Sequence, residues 1–204
     1  MVAVVDYGVG NLFSLCSSLE AIGAETVVTD DPALLAAADR IILPGVGAFG
    51  DAADKLRERG LFVVLRELAA SGKPFMGICL GMQLLFEKGF EYGEHEGLGL
   101  IKGEVRPIAE VIPTDLKIPH IGWNSLNIKR DHPVLKYVKE GDFVYFVHSY
   151  FATDCDDSVL ATSEYGIPVT AAVGCNNITG MQFHPEKSGE VGLNILRAFS
   201  EWEV

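Results

Sequence analysis

The sequence predicts an α/β protein: a mostly parallel central sheet flanked by helices, with antiparallel β-hairpins added in the second half. Three observations predict it. Short apolar runs at residues 2–5, 25–28, 41–43 and 75–78 alternate with segments of helical spacing, the pattern of parallel strands covered on both faces. Glycine-rich segments follow the third and fourth runs, at the edge where such sheets bind ligands. Beyond Gly89 helical spacing gives way to short strand-like pieces divided by turn signals. The 204 residues suit one domain, 1–204, with a full core.

In order, residues 2–5 read as a buried strand, and Leu12, Leu15, Leu19 and Ile22 as the apolar side of a helix that Gly23 ends. The turn between them, Asp6 to Asn11, matches only G-x-G of a dinucleotide fingerprint. Phe13 stands where the third glycine belongs, so a tight βα turn is the reading. A strand at 25–28 precedes Asp31-Pro32, an N-cap with proline at the first helical position. After the strand at 41–43 comes Pro44-Gly45-Val46-Gly47-Ala48-Phe49-Gly50, read as backbone that must approach a substrate. Helices are expected at 51–59, 61–70 and from 80 to about 88, with a strand at 75–78. A glycine-rich acidic loop at 90–100 follows, then strand pieces at 104–106, 118–121, 125–128, 143–147, 159–161, 169–173 and 178–181. A last helix, 189 to about 202, offers Val191, Ile195, Leu196 and Phe199 to the core.

Composition narrows the function. Apolar residues make up 49% and the net charge is −12, which argues against nucleic acid, since phosphate contacts need clustered Lys and Arg. The apolar start stops at Asp6, too short for a signal peptide, and no run approaches a membrane span. The four cysteines form no C-x-x-C pair and no metal-ligand spacing, so no metal or cofactor is expected and a reducing, cytoplasmic location fits. Cys16 and Cys175 lie in apolar runs and are expected in the core; Cys155, among Asp154, Asp156 and Asp157, is expected in a solvated turn.

The chemistry centres on Cys79. Gly77 and Gly81 bracket it in the G-x-nucleophile-x-G pattern of a nucleophile elbow, at the joint between a strand and a helix. Glycines admit the sharp turn, and the helix N-terminus aims free N–H groups at the sulfur and favours thiolate. Of five histidines, His184 stands out, in Gln182-Phe183-His184-Pro185-Glu186. In an extended segment His184 and Glu186 share a face, so the carboxylate can orient the imidazole. With Cys79 they complete a nucleophile, base and orienter.

These motifs resemble the class I (triad) glutamine amidotransferases: Pro-Gly-Val-Gly at 44–47, Gly-Ile-Cys-Leu-Gly-Met-Gln at 77–83 and Gln-Phe-His-Pro-Glu at 182–186. Residues 119–124, 145–150 and 186–189 are further similar to the glutaminase subunits of imidazole glycerol phosphate synthases, which serve histidine biosynthesis. The resemblance implies that Cys79 attacks L-glutamine, His184 moves the proton and Glu186 orients His184. It implies oxyanion donors at the backbone of Val46 and Leu80, and substrate contacts at Gly47, Gln83, Glu91, Ser149 and Tyr150. It also implies a heterodimer with a (β/α)₈ cyclase subunit that receives the ammonia; Asn11, Trp123, Tyr145 and Lys187 are the candidate docking residues. A glutaminase of another synthase, such as that of pyridoxal phosphate synthesis, and a stand-alone cysteine hydrolase are the alternatives.

Overall fold

The computed structural model describes residues 1–203. The first half runs β1 (Val2–Val5), α1 (Leu12–Ala21), β2 (Thr26–Thr29), α2 (Pro32–Ala37), β3 (Arg40–Leu43), α3 (Phe49–Glu58), α4 (Leu61–Ala70), β4 (Phe75–Ile78) and α5 (Leu80–Gln83). The second half runs β5 (Phe86–Gly89), β6 (His95–Glu96), β7 (Ile101–Pro107), β8 (His120–Ser125), β9 (Asn127–Ile128), β10 (Phe143–His148), β11 (Tyr150–Thr153), β12 (Val159–Glu164), β13 (Pro168–Cys175), β14 (Ile178–Met181) and α6 (Gly189–Ser200).

An eight-stranded sheet, in the order β2-β1-β3-β4-β14-β13-β12-β9, carries the fold. Strands β2, β1, β3, β4 and β14 are parallel, and β13, β12 and β9 extend the sheet antiparallel. Successive side chains of β1 point to opposite faces: Ala3 and Val5 join an apolar layer with α2, α3 and α4, while Val2 and Val4 join one with α1 and α6. A ribbon of β8 and β10 and a four-stranded sheet, β11-β7-β5-β6, stand beside it. The second half is therefore more than added hairpins, because its last three long strands complete the central sheet.

Local chemistry explains most boundaries. Asp31 caps α2 by accepting the Ala33 N–H at 2.8 Å, with Pro32 in the first turn, as expected. The helix expected to reach about residue 88 instead ends at Gln83. The carbonyls of Leu84 and Leu85 are taken by the N–H groups of Leu98, Leu100 and Ile101, and Phe86–Gly89 becomes a strand. Cys155 is buried, its thiol pushed up to about 11 chiefly by burial, and not in the solvated turn expected from the sequence; Cys16 and Cys175 are half-buried and pack against the core. No helix among the described residues is long and apolar enough to cross a membrane.

Candidate active site

Three strands end at one edge of the sheet and deliver the site. Leu43 closes β3 and leads into Pro44; Ile78 closes β4 and leads into Cys79; Met181 closes β14 and leads into Gln182. This is the carboxyl edge, where open parallel sheets bind ligands.

Cys79 sits at φ 53°, ψ −113°, a conformation L-residues rarely adopt. Its neighbours enforce it. A Cβ on Gly77 would meet the Gly81 carbonyl oxygen at 2.5 Å, and one on Gly81 would run into the Leu43 carbonyl oxygen. Gly45 is equally closed, with the Gly81 nitrogen and the Tyr7 hydroxyl both 2.8 Å from where its Cβ would stand. As the first residue of α5, Leu80 has an N–H without an intrahelical partner.

His184 is buried, and its Nδ1 lies 2.8 Å from Glu186 Oε1. The pair is not the extended one expected from the sequence. Pro185 opens a 3-10 turn, Pro185–Lys187, and the turn brings the carboxylate back under the imidazole. Glu186 Oε2 is buried without a partner, so the carboxylate acts on His184 alone. Burial opposes a charged ring, but the neighbouring Cys79 and the hydrogen-bonded Glu186 carboxylate outweigh it, and the imidazole is pushed up to about 10. At neutral pH it therefore holds a proton beside the sulfur.

A cleft of about 310 Å³ opens over Cys79 and His184, and Val46, Gly47, Leu80, Gln83, Glu91, Ser149 and Tyr150 all line it. The Gln83 amide donates to the Tyr150 carbonyl and to Gln182 Oε1, both at 3.1 Å. Gln182 in turn points Nε2 at the sulfur, 3.9 Å away. Glu91 accepts the Phe49 N–H at the start of α3, at 2.8 Å. Val46 is 44% exposed and nothing lies within 4 Å of where a Gly47 Cβ would stand.

Of the four docking candidates, three meet. Trp123 and Tyr145 pair across the β8–β10 ribbon, ring centroids 6.1 Å apart, and Lys187 Nζ lies 5.9 Å from the Tyr145 ring. Trp123 is 55% exposed, so it is not core. Asn11 has a local task, capping α1 by accepting the Ser14 N–H.

Several residues of the site escaped the sequence reading. Tyr7 is fully buried and donates its hydroxyl to the Pro44 carbonyl at 2.9 Å, which ties the glycine segment to the turn after β1. Gln182 sits in the motif that drew attention to His184 but carries no charge to mark it. Ile121, on the same strand as Trp123, and Phe13, on α1, are exposed at 58% and 84%; exposure cannot be read from a single apolar residue type. Among the described residues no group of acidic, His and Cys side chains could hold a metal ion.

A family model for class-I glutamine amidotransferases matches residues 3–201. The imidazole glycerol phosphate synthase subunit HisH of Lactococcus lactis is 50% identical over 201 residues, covering 98% of both chains. HisH of Aquifex aeolicus is 51% identical over 198 residues, 96% of this chain and 94% of its own. Among solved structures, PurLQS from Thermotoga maritima shares the fold at a TM-score of 0.73 and 24% identity, over 97% of this chain and 96% of that one.

Proposed function

Given that this chain belongs to the class-I glutamine amidotransferase family, we propose that Cys79, His184 and Glu186 carry out its glutamine hydrolysis. The chain is the glutaminase subunit of an imidazole glycerol phosphate synthase: it converts L-glutamine to glutamate and ammonia, and a cyclase subunit uses the ammonia. The observation that carries the catalytic assignment is the convergence of the strained Cys79 and the Glu186-oriented His184 in one cleft.

The chemistry runs as follows. The Cys79 sulfur attacks the side-chain amide carbon of glutamine. The carbonyl oxygen takes up negative charge opposite the Leu80 N–H, with Val46 N–H as the second donor. His184 gives its proton to the amide nitrogen, the C–N bond breaks, and ammonia leaves a γ-glutamyl thioester. Water then attacks the thioester and passes a proton to His184; glutamate leaves and the sulfur is regenerated. Glu91 and the Gln83 carbonyl oxygen receive the substrate ammonium, and backbone at Gly47, Ser149 and Tyr150 holds its carboxylate end.

The reading extends to the whole chain as one amidotransferase domain, 1–204, and to a (β/α)₈ fold for the cyclase. The outer face of the β8–β10 ribbon, with Trp123 and Tyr145, the adjoining Lys187, and Asn11 at the start of α1 supply the docking surface. The nucleophile works as a free thiol, which suits a reducing compartment such as the cytoplasm. The testing experiment compares wild type and Cys79→Ala in complex with a cyclase subunit, fed either glutamine or an ammonium salt. Wild type uses both and the variant only ammonium; a variant that still uses glutamine would overturn the assignment.

A further inference from the structure

On the inner side of the β8–β10 ribbon, two histidines that the catalytic steps do not use face each other across the strand pair, His148 opposite His120. Both are buried. His120 Nδ1 lies 2.9 Å from His148 Nε2, His148 Nδ1 lies 2.9 Å from the Tyr150 carbonyl oxygen, and Asn124 Nδ2 lies 3.3 Å from His120 Nε2.

The direction of every proton in this chain is dictated by backbone groups at its two ends. The Tyr150 carbonyl can only accept, so His148 carries its hydrogen on Nδ1. A neutral imidazole has one N–H, so His148 Nε2 must accept, and His120 must donate from Nδ1. That leaves His120 Nε2 as an acceptor, and the Asn124 amide Nδ2 donates to it. The Asn124 amide is itself fixed at both poles: Nδ2 donates to the Glu164 carbonyl at 2.8 Å, and Oδ1 accepts the Ser125 N–H at 2.9 Å. An extra proton on either ring would leave two donors facing each other somewhere along the line. The environment agrees, since burial pushes both rings down to about 4.

The chain ends where the substrate cleft begins. The Tyr150 carbonyl accepts a second hydrogen bond, from Gln83 Nε2, which uses both of its lone pairs. Gln83 then donates to Gln182, and Gln182 points its amide at the Cys79 sulfur. Hydrogen bonds thus connect Asn124 on the ribbon to the nucleophile, with the Tyr150 carbonyl receiving a donor from each side and the Gln83 amide holding its nitrogen towards that carbonyl. His148 also lies close enough to His184 to feel its charge, so a second imidazolium there would compete with the catalytic one.

We infer that His120 and His148 are positioning residues for glutamine binding: a neutral, one-directional imidazole relay that fixes the Tyr150 carbonyl and, through it, the Gln83 amide in the orientation that receives the substrate ammonium. The inference rests on the glutaminase reading. It places the effect in substrate affinity, because the relay aims binding groups and moves no proton in the reaction.

The test uses the complex with a cyclase subunit and its acceptor, and the variants His120→Leu and His120→Asn. Leu and Asn are alike in size, but only Asn keeps a donor where Nδ1 stands. His120 does not line the cleft. Expected for His120→Leu is a KM for glutamine raised about tenfold with kcat within about threefold, the cost of one hydrogen bond in a binding site. His120→Asn should recover KM to within about threefold of wild type. An unchanged KM in His120→Leu, or an Asn variant as impaired as Leu, overturns the relay and leaves a packing role. Nitrogen NMR of the wild-type imidazoles gives a reading independent of variant folding: His148 should carry its proton on Nδ1, and finding it on Nε2 overturns the relay. A wild-type complex that releases no glutamate would instead overturn the glutaminase reading, so the two failures are distinct.

Discussion

Two glycine-bearing segments meet at the same edge of the sheet and use their glycines in opposite ways. Around the elbow, Gly77 and Gly81 are glycine because no space exists for a side chain; backbone of the neighbouring turn fills the Cβ positions. Gly45, at the start of the 44–47 segment, belongs to this closed set. Two residues further on the packing stops. Gly47 has φ +103° and nothing within 4 Å of its Cβ position, and Val46 beside it faces solvent. Gly47 is glycine for conformation, and its surroundings leave the peptide room to turn. The Tyr7 hydroxyl holds the Pro44 carbonyl, so the free portion begins after that anchor. The difference sets a Cys79 turn packed on every side against a Val46–Gly47 peptide that is not. A subunit that feeds ammonia to another enzyme would gain from a movable donor there, since an oxyanion hole completed only on demand limits waste of glutamine. We propose that the cyclase, with acceptor bound, turns Val46 N–H toward the substrate.

The largest expected effect tests whether the elbow is a preformed scaffold. Cys79→Ala should lower glutamine hydrolysis by about 10⁴-fold or more while leaving the denaturant midpoint near that of wild type. A large loss of stability would mean that the sulfur itself supports the turn. His184→Ala should be nearly as damaging. Glu186→Gln should be milder, by roughly tenfold to a hundredfold in kcat, because an orienter contributes less than the group it orients. Equal losses in kcat would remove the distinction between base and orienter.

The glycines themselves sharpen the contrast. Gly81→Ala forces a methyl into the Leu43 carbonyl and should cost about 3 kcal/mol or more of stability, or prevent folding. Gly47→Ala meets no atom and should fold, with a backbone penalty of about 1–3 kcal/mol. Its activation by the cyclase should fall, while cyclase binding persists. Comparable unfolding midpoints for the two variants would contradict the division into a closed and an open segment.

The smallest effect concerns pH, where neighbouring imidazoles have opposite signs. For His184, raised from 6.5 to about 10, the stabilising contribution is complete below pH 6.5 and is lost as pH rises toward 10. For His120 and His148, lowered from 6.5 to about 4 by burial, the contribution is complete above pH 6.5 and is lost as pH falls toward 4. Urea midpoints across these two windows check the signs. Glu186→Gln should flatten only the alkaline side; a flattened acid side would assign the linkage to the wrong ring.

Much of this architecture was legible in the sequence, for physical reasons that also mark where legibility ends. Strands β1, β3 and β4 read clearly because a strand buried on both faces needs a short unbroken apolar run. The Cys79 bracket was legible because steric exclusion leaves glycine no substitute. The run Leu84-Leu85-Phe86 misled, since a few apolar residues satisfy a helix and a buried strand equally, and distant N–H groups at residues 98–101 settled the matter. Cys155 misled because three aspartates suggest water, whereas its own side chain packs against Gly103 and Thr170. His184 and Glu186 were recognised as partners on the assumption of an extended backbone, yet a 3-10 turn joins them. Gln182, Tyr7 and the His120–His148 pair had no local signature, because their partners lie tens of residues away.

The central claim, a preset nucleophile with a movable oxyanion donor, is tested most directly by glutamate formation measured in three states: this chain alone, with the cyclase subunit, and with the cyclase subunit plus its acceptor ligand. Iodoacetamide labelling of Cys79, followed in parallel, reports the nucleophile separately. The account predicts similar labelling rates in all three states and a rise in glutamate formation of about tenfold or more on adding the acceptor, a coupling of roughly 1–3 kcal/mol or greater. An isolated chain that already turns over at the rate of the fully liganded complex would contradict it and leave residues 44–47 as a fixed wall of the site.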